Sequence, residues 1–504
     1  MEELRFRNHF TVILEKMGGF FLVILLLAFQ NIKELVDWAN DPEGLKALSD
    51  SPDAGWMTLL IPAGLLLVVV LVVGVHVLVW SKTWITITDT TIVMEVNTLR
   101  KTCNTIGMKN ISNVNIEQNL WEKILGTCKI KLDTSSLSTA NQTDVKIVLK
   151  RKEALRTQKE ILQRVYLMQH AADASKTPDT ADNMEEENPF DVVATIRDIA
   201  MHGVCSASIL SILALLGCIG EFVVVLGGMR DISFENITVI LANIVIIGGI
   251  IIVCLKGVFG GFITFYDFKV GRRGDKLYVH YGMLRTIDYT IPVKQISGVN
   301  IKQTLIGRLL KRYMVELINV GMGDEEKESG SYIVLACNKS QLEEQMRLLL
   351  PEYADMGIEC IKKQPVAVFW NKLAKTLTGI TVFAFASLIV VELVPEVENW
   401  IVVLICSICI AFGILLAFLQ YFTAGTYFGK DKLLVANGNF TRYITIVPYK
   451  NVQYIELHTN GILAHFGLVK GSVHLLAGMA NQEKGIPACK SDVLENVVQN
   501  FLKI

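Results

Sequence analysis

The sequence predicts a multi-pass α-helical membrane protein carrying soluble α+β modules, built as three tandem repeats. Three observations lead there. First, a segment is written twice: Ile106, Lys109, Ile111, Ser112, Val114, Asn115, Ile116 and Gln118 recur at the same spacing as Ile291, Lys294, Ile296, Ser297, Val299, Asn300, Ile301 and Gln303. A looser third copy runs from Val447 through Lys450, Val452, Ile455 and Leu457 to Thr459, and internal periodicity takes precedence over other fold signals. Second, 51% of the 504 residues are hydrophobic and 19% charged, with a mean hydropathy of +0.42, because paired apolar blocks approach membrane length. Third, short alternating runs follow each pair, as in half-buried strands.

Residues 1–80 make an N-terminal segment and the first hairpin. Its weaker block, Met17 to about Gln30, reaches span length only by including Phe10 to Leu14. The other, Leu59 to Val79, holds no charge and is flanked by Trp56 and Trp80, whose amphipathic rings suit the headgroup level. The acidic start and the lack of a small-residue cleavage pattern predict an uncleaved span, not a signal peptide. Residues 81–168 read as a first module, with strands around Trp84, Ile92, Cys128 and Val145 and a closing helix from Glu153 to Met168. Leu155, Ile161, Leu162 and Val165 give that helix its period. Residues 169–190 form an acidic linker too poor in large apolar side chains to offset its own ordering.

The plan then recurs. Residues 191–260 hold blocks Gly203–Leu226 and Ile237–Leu255, and residues 261–364 a second module, where Ser340 and Glu343 suggest a capping box for a helix ending near Leu350. Residues 365–425 hold blocks Leu377–Val394 and Trp400–Phe422, and residues 426–504 a third module ending in a helix from Ser491 to Leu502. Shifts of 185 and then 156 residues superimpose the copies without gaps over their middle: Lys109, Lys294 and Lys450 coincide, and Gly282 meets Gly438. Gly126 meets Gly467, although Lys311 stands there in the second copy.

Of 48 lysines and arginines, only Lys33, Lys46 and Arg230 fall in the loops joining paired blocks. Lys82, Arg197, Lys256, Lys362, Lys363, Lys372, Lys375 and Lys430 flank the opposite ends. The positive-inside bias therefore puts the modules and both termini in the cytosol, at the bacterial inner membrane, with the hairpin tips outside. Amphipathic stretches approach each hairpin at Arg7–Leu14, Asp191–Met201 and Val366–Leu377; they either lie in the interface or simply start the helices.

A net charge of −1 argues against nucleic acid as a partner. The ten cysteines show no paired metal-ligand spacing outside apolar blocks, and Cys406 and Cys409 sit within one, as small residues on a helix face. No phosphate loop, nucleophile elbow, dinucleotide fingerprint or zinc-hydrolase pair is present, so no enzyme activity, metal or cofactor is expected. Two features invite binding. Arg272, Arg273 and Lys276 form a basic turn, matched by Lys430 and Lys432, and could meet anionic lipid. The first copy has Thr88 to Thr91 there with no base, and a solvated turn is the plainer reading. Glu221 lies within an apolar block, a default suspect for an intramembrane polar site, though it stands near the block's outer end. The repeated lysines read more simply as exposed strand positions that discourage unwanted pairing.

Two spans, then strands, then the segment Ile291 to Gln303 followed by Gly307 and Arg308, resemble the YdbT-like bacterial pleckstrin-homology (PH) membrane proteins over nearly the whole chain. The third copy departs, with Thr459 where Gln118 and Gln303 stand. The resemblance implies PH-like modules, each an antiparallel barrel capped by one C-terminal helix. It also implies a smaller single-hairpin relative as companion and a role in envelope protection or antimicrobial resistance. A membrane scaffold or binding protein is thus expected, its partners the lipid bilayer and either further copies of itself or that relative. A lipid or small-molecule transporter or exporter, and an anionic-lipid sensor, are the alternatives.

Overall fold

A computed structural model describes residues 3–30, 52–134, 145–169, 190–207, 259–319, 331–355, 357–393, 399–475 and 482–491, with a few single positions besides. Glu221 and nearly all of the expected C-terminal helix lie outside the described residues. The chain divides into two compact units, Met1–Leu132 with Asp144–Glu186, and Asp133–Thr143 with Glu187–Ile504.

The first unit contains β1 (Leu4–Phe6), α1 (Thr11–Gln30), α2 (Pro52–Ser81), β2 (Thr83–Ile87), β3 (Thr91–Asn97), β4 (Lys101–Gly107), β5 (Ile111–Gln118), the short α3 (Leu120–Leu125), β6 (Thr127–Thr134), β7 (Val145–Lys150) and α4 (Arg151–Gln169). Strands β1 to β4 pair in chain order, and β5, β6 and β7 follow one another as a second run. In β2, Thr83, Ile85 and Ile87 are buried while Trp84 and Thr86 are not, as a pleat with one face in the core requires. Ile85, Ile87 and Ile92 share that core with Ile116, Ile130, Leu132 and Ile147 of the second run. Helix α4 closes it with Ala154, Ile161 and Val165. Leu155 and Leu162 are exposed instead, so the helix is turned about one residue from the expected stripe.

The second unit holds two modules. The first of them contains β8 (Val192–Val193), α5 (Ile196–Ser206), β9 (Lys269–Arg273), β10 (Lys276–Tyr281), β11 (Thr286–Pro292), β12 (Ile296–Gln303), α6 (Leu305–Leu309), β13 (Tyr313–Asn319), β14 (Tyr332–Cys337) and α7 (Lys339–Leu349). The other contains β15 (Lys362–Lys363), α8 (Val366–Leu393), α9 (Asn399–Thr423), β16 (Gly425–Phe428), β17 (Lys432–Gly438), β18 (Arg442–Pro448), β19 (Val452–His458), α10 (Gly461–His465), β20 (Leu468–Leu475) and β21 (Gln482–Lys490). Helix α7 starts on Asn338, whose side chain accepts from Gln341 N. The cap is thus two residues earlier than Ser340, because Asn caps well and Gln341 completes its box.

Three local outcomes bear on function. The repeated lysines are not in strands: Lys109, Lys294 and Lys450 each occupy a single 3-10 turn that bends the chain between the two runs of its module. The stretches approaching the hairpins are helix starts that follow short edge strands: β1 precedes Arg7, β8 lies inside Asp191–Met201, and β15 precedes Val366. Helix α5, for instance, opens on a Thr195–Asp198 capping box, and β8 pairs with β9. Among the described residues, Cys406–Thr423 is long and apolar enough to cross a membrane, and Leu67–Ser81 is a shorter apolar helix.

Candidate membrane interface and module seam

Each module meets its helices through one hairpin tip. Asn97 N donates to Lys82 O just past α2 (3.0 Å), and Gly282 N donates to Tyr266 O (2.7 Å), next to the helical residues 259–264. In the third module Thr423 Oγ1 donates to Gly438 O, and Arg442 Nε to Thr423 O at the end of α9. The bonds accepted by Lys82 O, Tyr266 O and Thr423 O satisfy carbonyls at or just past a helix end, which the helix leaves open. Gly282 and Gly438 have φ of 122° and 134°, and a Cβ on either would strike the backbone carbonyl of Arg285 or Thr441; that is why glycine recurs there.

The tips so anchored are apolar with a basic shoulder. Leu99 is fully exposed beside Arg100 and Lys101, and Met283 and Leu284 are exposed beside Arg285. Phe440, followed at Arg442, stacks on Phe412 of α9 at 6.3 Å. Phe412 lies three turns inside the helix end, roughly 16 Å at 1.5 Å per residue.

A second apolar feature recurs beside the first helix of every hairpin, and no periodicity in the sequence marks it. The one-turn helices α3, α6 and α10 start on Asn119, Thr304 and Asn460, which coincide under the repeat shifts. Each has one position turned inward and the rest outward: Trp121 is 73% exposed, Leu309 is 83% exposed, and Ile124, Ile462 and Phe466 are exposed too. Thr304 Oγ1 donates to Cys205 O of α5, Asn460 Nδ2 donates to Asn371 Oδ1 of α8 (3.1 Å), and Lys129 joins Glu122 of α3 to Glu15 of α1. Cations attend them: Arg308, Lys311 and Arg312 around α6, and Lys470 near α10. Burial, then the neighbouring Lys375, hold the Lys470 ammonium below its ordinary range. Exposed aromatic and aliphatic groups beside apolar helices, with basic residues adjoining, are the composition of a bilayer interface.

The expected basic turns sit elsewhere. Each lies at the far end of the strand that leaves the hairpin, about 13 Å for the four residues of β16. Arg272 grips both carboxylate oxygens of Glu352 (2.7 Å each), and Arg273 pairs with Asp191 (2.8 Å). Lys432 bonds Asp355, while Lys276 and Lys430 are exposed at the turns. The arginines and Lys432 thus brace their own turns.

Within the second unit one sheet runs through both modules, joining the second strand run of the first to the first run of the other. Strand β12, which carries the repeated segment, pairs antiparallel with β18 from Val299↔Ile446 to Gln303↔Arg442. The result is a seven-stranded order, β14-β13-β12-β18-β17-β16-β15. Thr445 Oγ1 donates to the buried Asn300 Oδ1 (2.6 Å), and Asn451 Nδ2 donates to Ile296 O and Ser297 O (3.1 Å each). Leu434, Ala436, Ile444 and Ile446 enter the core of the module before them, and Ile318 enters the core of the one after. Lys302 Nζ donates to Glu316 Oε1 (2.9 Å) and Tyr332 Oη (2.7 Å), and lies 5.9 Å from the Tyr443 ring across the seam. Burial opposes its charge, but Tyr332 and Glu316 hold the ammonium above its ordinary range. Next to Tyr332 the fully buried His202 packs edge-on between that ring and Phe265, 4.8 Å from each. Burial, with the Lys302 charge adding to it, pulls its pKa down to about 3, so it is neutral.

This repeat of two strand runs with a capped one-turn helix between them corresponds to a known unit. The profile of the bacterial PH domain family matches three times, over residues 23–165, 212–351 and 380–502. The chain belongs to the bacterial PH domain family. Among curated proteins this bacterial PH chain is 21% identical over 364 residues to the "UPF0699 transmembrane protein YdbT" of Bacillus subtilis (strain 168), covering 69% of this chain and 70% of that one. No solved structure matches. The sheet-rich PH-like modules, implied by the resemblance, and their threefold repetition, expected from the repeated segment, are both present.

Proposed function

We propose that this bacterial PH protein is an integral membrane scaffold, its modules seated on the cytosolic face of the inner membrane and joined edge to edge. The seam between β12 and β18 carries the reading. A ligand-binding barrel keeps its edges to itself, whereas here the most repeated segment of the chain is the strand that binds the neighbouring module. The membrane part is supported by the outward faces of α9, where Trp400, Val403, Leu404, Ile408, Phe412 and Phe418 are exposed, an apolar surface that water does not tolerate. The described relative is itself named a transmembrane protein. Six spans, cytosolic termini, and service in envelope protection beside a smaller single-hairpin relative complete the proposal.

The test has two parts. A membrane-impermeant amine reagent added to intact cells should modify Lys33 or Lys46 and spare Lys294; modification of Lys294 reverses the orientation. Amine crosslinking in native membranes should then attach the chain to copies of itself or to the companion; a chain that remains unattached rules out the scaffold. The transporter alternative instead requires loss of export on Glu221→Gln.

A further inference from the structure

We infer that copies of this chain join head to tail, the outer edge of β19 in one copy pairing with the outer edge of β4 in the next. This deepens the scaffold reading and rests on it. In the seam inside the chain, the donor is the repeated strand of one module (β12) and the acceptor is the last strand of the following module's first run (β18). Among the described residues, the chain carries both halves of that seam again, open, one in each unit. Strand β19 is the repeated strand of the third module and ends its sheet, β19-β20-β21. Strand β4 is the counterpart of β18 in the first module and ends its sheet, β1-β2-β3-β4.

Both strands have the right length and address. The repeat shifts carry Ile296 onto Val452 and Lys101 onto Arg442, the first residues of β19 and β18 respectively. The residues of β4 from Lys101 to Thr105 are exposed, as are Gln453, Tyr454, Glu456 and Leu457 of β19. An unpaired edge of this kind is a template for another strand. Carrying the register of the inner seam across, Val299↔Ile446 becomes Ile455 opposite Thr105, and Ile301↔Ile444 becomes Leu457 opposite Cys103. Where Thr445 donates to Asn300 in the inner seam, Asn104 would face Glu456 and its amide N–H would donate to that carboxylate. No like charges oppose one another in this register. Such contacts run head to tail, so they generate closed rings of two or more copies, or open chains.

The native Cys103 is a free, exposed thiol, and it makes the register testable. Full-length Leu457→Cys protein in isolated native membranes is treated with copper phenanthroline and run without reductant. The expected result is a ladder of disulfide-linked multiples that vanishes with reductant and with Cys103→Ser. A link formed only within one chain, or none, overturns the inference. So does a link to a different protein. If amine crosslinking still captures a partner when Cys103 and position 457 fail to join, the scaffold stands and this edge pairing falls. Thr105→Lys covers the case in which the cysteine variant fails to fold, because Thr105 is exposed on β4 and an edge lysine there blocks pairing without entering a core. In nanodiscs the parent protein should contain several copies and Thr105→Lys one; a parent with a single copy overturns the inference as well.

Discussion

Glu117 and Lys131 lie 2.6 Å apart with both side chains almost wholly buried, and the second module holds the same pair with the charges exchanged. A shift of 185 carries Glu117 onto Lys302 and Lys131 onto Glu316, themselves 2.9 Å apart. The two modules thus differ by a double swap, whose intermediates would each have left two like charges face to face. Removing one member of a buried pair leaves the other uncompensated, at a cost of about 3–5 kcal/mol. Lys131→Met should therefore lower the unfolding temperature of the first unit sharply, whereas the combined exchange of Glu117→Lys and Lys131→Glu should recover most of the loss. Thermal unfolding in detergent, followed by near-ultraviolet circular dichroism, reads both. Equal damage from the single and the double variants would mean that the site does not tolerate exchange.

Lys311 has φ of 52°, where Gly126 and Gly467 have 68° and 61°. All three end a one-turn helix in the left-handed region, which costs a side chain roughly 1–2 kcal/mol. Lys311→Gly should raise stability by about 1 kcal/mol in denaturant titrations, even after the added freedom of the unfolded glycine is counted. A loss instead would mean that the lysine side chain contributes more than its backbone costs.

His202 makes the second unit sensitive to acid. Its folded pKa, about 3, lies below the ordinary 6.5. Between those values the unfolded chain binds a proton that the folded one does not. Stability is complete above pH 6.5 and falls as pH drops toward 3, at up to about 1.4 kcal/mol per unit. Met17 occupies the matching buried place in the first module, so His202→Met should fold and flatten the stability profile between pH 6.5 and 4.5. An unchanged slope would assign the acid sensitivity to other groups.

Arg272 and Glu352 test the basic turn. The Arg272 hydrogen bonds hold the Glu352 carboxyl below its usual range. The pair therefore contributes above pH 4.5 and is lost as pH falls through the lower folded value. Glu352 is nearly half exposed, so Arg272→Ala should cost only about 1 kcal/mol at neutral pH. Binding of the full chain to anionic vesicles should not change. A marked loss of vesicle binding with stability intact would instead identify this turn as a lipid contact.

The threefold plan was readable because an apolar pair and a repeated segment survive substitution at most other positions. The seam was not, since Val299, Ile301, Ile444 and Ile446 alternate like any strand residues and nothing local says which strand they meet. Lys109, Lys294 and Lys450 looked like strand lysines because a three-residue corner is too short to break an alternating pattern. The one-turn helices were hidden for a similar reason. Leu120, Trp121, Ile124 and Leu125 span less than two turns and are outward-facing, so no core stripe develops, although the Asn119, Thr304 and Asn460 caps stand in register.

Those outward residues supply the last prediction. Trp121 and Ile124 of α3, and Leu309 of α6, touch no core, so replacing them with glutamate should leave the folded modules intact. If they lie in the headgroup layer, a charge there loses the burial of an apolar side chain, about 1.5–3 kcal/mol each, and is repelled by anionic lipid. A photoreactive phenylalanine analogue at position 121 or 309 of the full chain, illuminated in native membranes, should yield lipid adducts, while the same probe at Asp275 in the distal turn should yield none. A probe at Ile408 of α9 provides the reference for lipid contact. Adducts at Ile408 with none at 121 and 309 would lift the modules off the bilayer while leaving the anchoring helix in it.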